Sequence, residues 1–234
     1  MDPNLDFDTF LYVSSEKFII SIFEKTNFKS IYSKEFLIDT QSNKINFEKL
    51  KYFLDSNILQ IEKEIKNFIK NIHLIIDSEE FFTTQLSIRK NNNNKIISLD
   101  LLVYLLNEAK EQCKKTLENK KIVHLIIDKY SLDGSNYFYL PKNLKCKNLC
   151  LDVSFICLSF DFIRKFEDLF KKYQISVNQI LNSNYTKKFS KEKNIDLFSS
   201  ANKIILGYNE NEVKFVEKTS ENKGFFEKFF DFFS

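Results

Sequence analysis

The spacing of apolar residues changes period several times along the 234-residue chain. Apolar runs at 10–13 and 18–23, joined at Ser14-Ser15, and a third stretch at 30–38 predict three strands linked as a meander. Asn46 then precedes a helical pattern over 47–71, in which Leu50, Phe53, Leu54, Ile58, Ile61, Ile65, Phe68 and Ile69 recur at helical spacing. A short apolar run at 73–76 predicts a buried strand. The opening therefore predicts strand-strand-strand-helix-strand, part of an α/β (α+β) fold.

Thr83, Thr84, Leu86 and Ile88 suggest another strand over 81–89, and 91–94 predicts a polar loop of four asparagines. Ser98 is placed to cap a helix carrying Leu101, Leu102, Leu105, Leu106 and Ala109, ending near Leu117. Ile122, Val123, Leu125, Ile126 and Ile127 form the nearly continuous apolar run of a strand covered on both faces. Asp133-Gly134 predicts a turn, and Pro141 a stop. Leu149, Leu151, Val153, Phe155 and Cys157 alternate with Cys150, Asp152, Ser154 and Ile156 at strand period. Asp161 is placed to cap a helix with Phe162, Phe166, Leu169, Phe170 and Tyr173 on one face, and 177–181 predicts a closing strand. A charged link without periodicity covers 184–194. A short helix follows over 195–208, with Gly207 as its stop, and 210–222 is polar and expected to be flexible. These elements suggest a core subdomain in two pieces, 1–80 and 177–208, around an inserted strand-helix-strand-strand module at 81–176. A linker follows at 209–223, and an amphipathic segment at 224–234 ends the sequence.

That last segment reads GFFEKFFDFFS. On a helix, Phe225, Phe226, Phe229, Phe230, Phe232 and Phe233 span an arc of about 160°, opposite Glu227, Lys228 and Asp231. Each fully buried ring is worth about 1.5–3 kcal/mol, so partial insertion into a bilayer interface is enough to hold such a tail. The same rings have an alternative use, docking on the protein's own core. The polar lead over 209–223 favours a tether, and the expected role is membrane binding. The matched charges around it supply little pull towards anionic lipid.

Composition excludes several classes. Aromatic residues are 15% of the chain, with 26 Phe and no Trp. The 35 basic and 32 acidic residues are interspersed and leave a net charge of only +3, without the basic excess of a nucleic-acid binder. Cys113, Cys146, Cys150 and Cys157 lack zinc-knuckle spacing, and His73 and His124 lie inside apolar runs, so no metal site is expected. Asp77, Asp128, Asp152 and Asp161 fall at predicted strand ends but form no catalytic constellation. They read as solvated strand ends or helix caps. No run approaches the about 20 apolar residues of a spanning helix, no signal peptide opens the chain, and a cytoplasmic address follows as the expectation.

The succession of elements resembles the actin-like bacterial cell-division family FtsA, cut short. "KIVHLIIDKYSLDG" at 121–134 looks like the family's strand with its downstream tyrosine and turn. "DVSFICLSFDFIRKFEDLFKKYQISVNQILNS" at 152–183 looks like the strand, helix and strand that close its inserted domain. "IDLFSSANKIILGY" at 195–208 resembles the last helix of its core, and the Phe-rich end resembles its membrane-targeting helix. The resemblance implies a divisome adaptor on the cytoplasmic side of the inner membrane at the division site. Its partners would be the lipid surface and cytoplasmic segments of late division proteins, with self-association, while FtsZ contact falls in the half that has no counterpart. The departures imply the loss of catalysis. Where actin-like ATPases carry a D-x-G-T loop, this chain has Tyr12 for the Asp and Ser14 for the Gly. The only glycines, Gly134, Gly207 and Gly224, build no phosphate cradle. Lys17 matches a family lysine but reads as a surface residue. No cofactor and no enzymatic activity are expected. The alternatives are a pilus-type assembly scaffold of the actin-like family without its own anchor, or a divergent actin-like ATPase.

Overall fold

The computed structural model describes residues 6–39 and 42–214. In chain order the elements are β1 (Phe7–Val13), β2 (Lys17–Glu24), β3 (Ser30–Leu37), α1 (Phe47–Ile65), β4 (Asn71–Ile76), β5 (Phe82–Ile96), α2 (Leu99–Gln112), β6 (Lys120–Leu132), β7 (Ser135–Tyr137), β8 (Lys145–Ser159), α3 (Phe160–Lys171), β9 (Ser176–Asn182), α4 (Ser183–Lys193) and α5 (Leu197–Ile205). They form a mixed α/β chain that divides into two compact units. The first takes the described residues up to Phe82 with Leu117–Val123 and Ile156–Tyr208. The second takes Thr83–Thr116, His124–Phe155 and the described residues from Asn209 on.

The first unit is built on a five-stranded sheet in the order β3-β2-β1-β4-β9. The meander β1-β2-β3 is antiparallel, whereas β1-β4 and β4-β9 are parallel. This is the ribonuclease-H-like strand order. Alternation along β1 explains why its residues are apolar on both sides. Leu11 and Val13 join a core with Leu50, Phe53 and Leu54 of α1 and Phe162, Phe166 and Phe170 of α3. Phe10 and Tyr12 face a second core, with Phe189 of α4 and Ala201 and Ile204 of α5. Some of the phenylalanine pairs pack edge to face, while Phe23 and Phe28 stack at 4.2 Å. Phe47 meets Phe162 and Phe166 at 5.9 and 5.0 Å between ring centres, and Phe10 meets Phe23 and Phe28 at 5.8 and 5.7 Å.

The second unit carries the sheet order β5-β8-β6-β7, and Leu102, Leu105, Leu106 and Ala109 of α2 are buried. Asp133 (φ 49°) and Gly134 (φ 95°) take the left-handed conformations that a two-residue hairpin turn demands, and β6 and β7 pair outward from Leu132↔Ser135. Asp133 also accepts the Lys147 and Asn148 amides at 2.9 and 2.8 Å, and these two bonds hold its carboxyl below the usual range.

Several caps lie where the sequence put them. The side chains of Asn46 and Ser98 accept the Lys49 and Leu101 amides. Gly207 (φ 81°) ends α5 in a Schellman pattern, with Gly207 N–H to Ile204 O and Tyr208 N–H to Lys203 O. Other expectations are corrected. The helix over 47–71 stops at Ile65, because Lys66 turns left-handed (φ 55°) and the chain re-enters the sheet at Asn71. The asparagines at 91–94 lie within β5, where Asn93 and Asn94 supply two successive left-handed residues. Ser159, not Asp161, caps α3, and Asp161 is an exposed first-turn residue 3.6 Å from Arg164. The link over 184–194 is helix α4, capped by Asn182 and buried through Ser183, Thr186 and Phe189. The boundary expected at 176 falls at 156, because Leu158, Phe162, Ile163, Phe166 and Phe170 belong to the first unit's core. Residues 209–214, expected as linker, belong to the second unit, while the rest of the expected linker and the tail lie outside the described residues.

Phe166 is fully buried, so Phe166→Ala is expected to destabilise the chain by about 3–5 kcal/mol in urea unfolding. Tyr52→Ala on the exposed side of α1 is expected to stay within about 0.5 kcal/mol of wild type.

Candidate functional site

Three parallel strands of the first unit end side by side, since Val13 pairs with Ile76 and Ile76 with Asn182. Ligands of open α/β sheets gather at such carboxyl ends. The first residue beyond β4 is Asp77, whose amide donates to Val13 O at 2.8 Å and so fixes the carboxylate over the end of β1. One oxygen of that carboxylate, Oδ2, receives three donors: Tyr12 Oη at 2.8 Å, Ser183 Oγ at 3.3 Å and the Lys187 ammonium. Tyr12 and Ser183 are buried, and Lys187 reaches in from α4 to lie 5.7 Å above the Tyr12 ring.

Burial alone pushes the Asp77 carboxyl up, but the hydrogen bonds from Lys187 and Tyr12 outweigh it and hold the group below the usual carboxylate range. The same contacts act on the partners. Burial and then the Asp77 bond raise the Tyr12 phenol, while Asp77 raises the Lys187 ammonium against the opposing effect of burial. The arrangement is an internal ion pair with a phenolic donor, satisfied within the chain.

The adjoining β1–β2 turn is closed in the same manner. Ser14 Oγ accepts the Glu16 and Lys17 amides at 3.2 and 3.0 Å, and Ser14 N–H donates to Lys17 O at 3.0 Å. The backbone donors that a glycine loop would aim at a phosphate are here consumed by a serine side chain. The Lys17 ammonium pairs with Glu35 at 2.7 Å on the half-exposed surface between β2 and β3.

Of the four strand-end carboxylates picked out in the sequence, Asp77 alone enters this cluster. Asp128 and Asp152 lie on the sheet of the second unit. Asp152 accepts Ser87 Oγ at 2.6 Å and pairs with Lys129 at 2.7 Å, and Asp128 accepts from Ser154. His73 stacks on Phe10 at 5.1 Å, and His124 meets Glu212 at 2.7 Å. The four cysteines are free thiols, and burial pushes those of Cys113 and Cys150 up. Among the described residues no three His, Cys, Asp or Glu side chains gather to hold a metal, and no helix is long and apolar enough to cross a membrane. Phe225, Phe226, Phe229, Phe230, Phe232 and Phe233 lie outside the described residues. Sequence reasoning missed Ser183 and Lys187. The local signal is Asn182, a residue suited to cap a helix, and it is weak because Ser183 and Thr186 carry no hydrophobic pattern.

No family model and no curated protein matches the chain. Solved structures are similar over part of their length. The cytoplasmic domain of EpsL, an inner-membrane component of the type II secretion system of Vibrio cholerae, is 11% identical at a TM-score of 0.40, with 77% of this chain and 59% of that one covered. A PilM–PilN type IV pilus biogenesis complex is 5% identical at a TM-score of 0.42, with 76% and 48% covered. A Bacteroides thetaiotaomicron protein with an actin-like ATPase fold and unknown function is 14% identical at a TM-score of 0.32, with 80% and 56% covered. The chain thus spans about half to three fifths of the length of these structures. Likeness at this level carries nothing about partners or activity.

Asp77→Asn tests the cluster. The folded-state pKa of Asp77 lies below its ordinary value near 3.8, so its stabilisation is present above that value and is lost as pH falls through the folded pKa. In urea unfolding the variant is expected to be about 1–3 kcal/mol less stable than wild type at pH 7. That gap is expected to close as the pH is taken below about 4. A gap unchanged down to pH 3 would contradict the assignment.

Proposed function

We propose that the chain is a non-catalytic assembly scaffold, an actin-like subdomain with an inserted module, that holds partner proteins and does not turn over nucleotide. One observation carries this reading. Asp77, at the strand ends where an acidic group would manage a metal and phosphate, is committed to Lys187, Tyr12 and Ser183 of the same chain. The self-satisfied turn at Ser14 supports it.

Two forms of scaffold fit. A pilus- or secretion-type scaffold, binding a membrane-proximal segment of a partner, needs only the folded body and is the form we favour. A divisome adaptor on the cytoplasmic side of the inner membrane needs in addition that the six tail phenylalanines hold lipid. Fluorescent fusions distinguish them. The divisome form requires a mid-cell band that Phe229→Asp disperses, and the pilus-type form requires a distribution that Phe229→Asp leaves unchanged.

Magnesium-ATP tests the common claim against the remaining alternative, a divergent actin-like ATPase. A ligand present at 100 times its Kd adds about 2.7 kcal/mol of stability, a rise of several degrees for a chain of this size. The scaffold reading predicts no change in Tm at millimolar magnesium-ATP, and a rise of that order would reject it.

A further inference from the structure

In the second unit, β7 pairs only with Tyr130, Ser131 and Leu132 of β6. Further back along β6 its pairing is taken up by the chain's own residues 209–214. Ile127 N–H donates to Asn211 O and Val213 N–H to Leu125 O, both at 2.8 Å, around an antiparallel bridge between Ile126 and Glu212. One side-chain pair fixes the register. Glu212 Oε1 lies 2.7 Å from His124 Nδ1, with the two side chains 5% and 2% exposed. A carboxylate can only accept, so with Glu212 ionised the imidazole donates from Nδ1.

Among the described residues, the two ladder bonds named above tie the strap's backbone to β6. Asn211 Nδ2 donates to Phe138 O at 2.7 Å, but Asn211 Oδ1 is buried with no hydrogen-bond partner. Burial pushes the Lys214 ammonium down, which disfavours its charged form. The loop that receives Asn211 carries Phe138 and Tyr139, which are 67% and 65% exposed. A strand edge with an apolar rim and one buried polar residue that selects a side chain is the anatomy of strand addition. Backbone bonds give affinity there, and the side-chain pair gives specificity.

We propose that this edge of β6 is an acceptor site for an extended peptide of a partner protein bearing a carboxylate opposite His124. Residues 209–214 are its resident occupant, displaced when such a peptide binds. The buried imidazole sets the requirement, because a neutral occupant at that register replaces the charge-assisted bond with a weaker one or leaves a buried polar group unpaired. The proposal does not depend on whether the first unit binds nucleotide.

The probe is a fluorescein-labelled hexapeptide of the strap's own sequence, Asn-Glu-Asn-Glu-Val-Lys, titrated by anisotropy into the full chain. Glu212→Gln weakens the resident pair, and Val213→Pro removes the N–H that bonds Leu125 O. Both variants are expected to bind the peptide at least about tenfold more tightly than wild type. A control peptide with Gln at its fourth position is expected to lose that gain. Variants that melt cooperatively yet bind the peptide no better than wild type overturn the proposal, as does equal binding of the control. Should Val213→Pro fail to fold, Glu212→Gln decides alone.

Discussion

The contact on which the functional account depends is that of one carboxylate with three donors from its own chain. Asp77 sits where the parallel strands β1, β4 and β9 end, and strand geometry alone would make it available to a ligand. The Lys187 ammonium and the Tyr12 phenol both donate to one of its oxygens. An opposite charge and two hydroxyl donors around one oxygen satisfy a half-buried carboxylate more fully than water would, and its depressed pKa states the same balance. A metal ion drawn to this oxygen would have to displace these donors and leave a buried phenol and a partly buried ammonium without their acceptor. That cost separates this site from an open one that happens to be empty of glycines.

The packing explains why the contact forms. Tyr12 must follow Phe10 onto the face of the sheet covered by α4 and α5, because side chains alternate along β1. Placing α4 directly after β9 starts the helix at the same strand ends, and Lys187 then lies near the first turn of α4, over Asp77. The two faces of the sheet are covered by leucine, isoleucine and phenylalanine, and the polar cluster lies at the carboxyl ends of its strands. The cluster thus follows from topology together with four residue choices, Tyr12, Asp77, Ser183 and Lys187.

Much of this was legible in the sequence, for reasons that can be named. The β1–β3 meander and α1 declare themselves because their apolar residues are many and regular, and Asn46, Ser98, Asp133-Gly134 and Gly207 are residues whose chemistry suits one local geometry. Helix α4 was not legible because two of its three buried positions are Ser183 and Thr186, which carry no hydrophobic signal. The end of α1 was hidden because Lys66, where a glycine is usual, takes the left-handed cap. The strap at 209–214 looks like linker because its anchoring residue, Glu212, is charged, and only the partner His124, 88 positions away, makes its burial intelligible. The cluster itself joins residues 65 and 110 positions apart, which no periodicity encodes.

The most direct measurement is amide chemical-shift mapping of the isotopically labelled chain during a titration with magnesium-ATP. The account predicts that the amides of Ser14, Glu16, Lys17, Asp77 and Lys187 keep their positions to millimolar ligand. Saturable shifts concentrated on those five residues would show that the Asp77 contacts open to admit a nucleotide, and would contradict it.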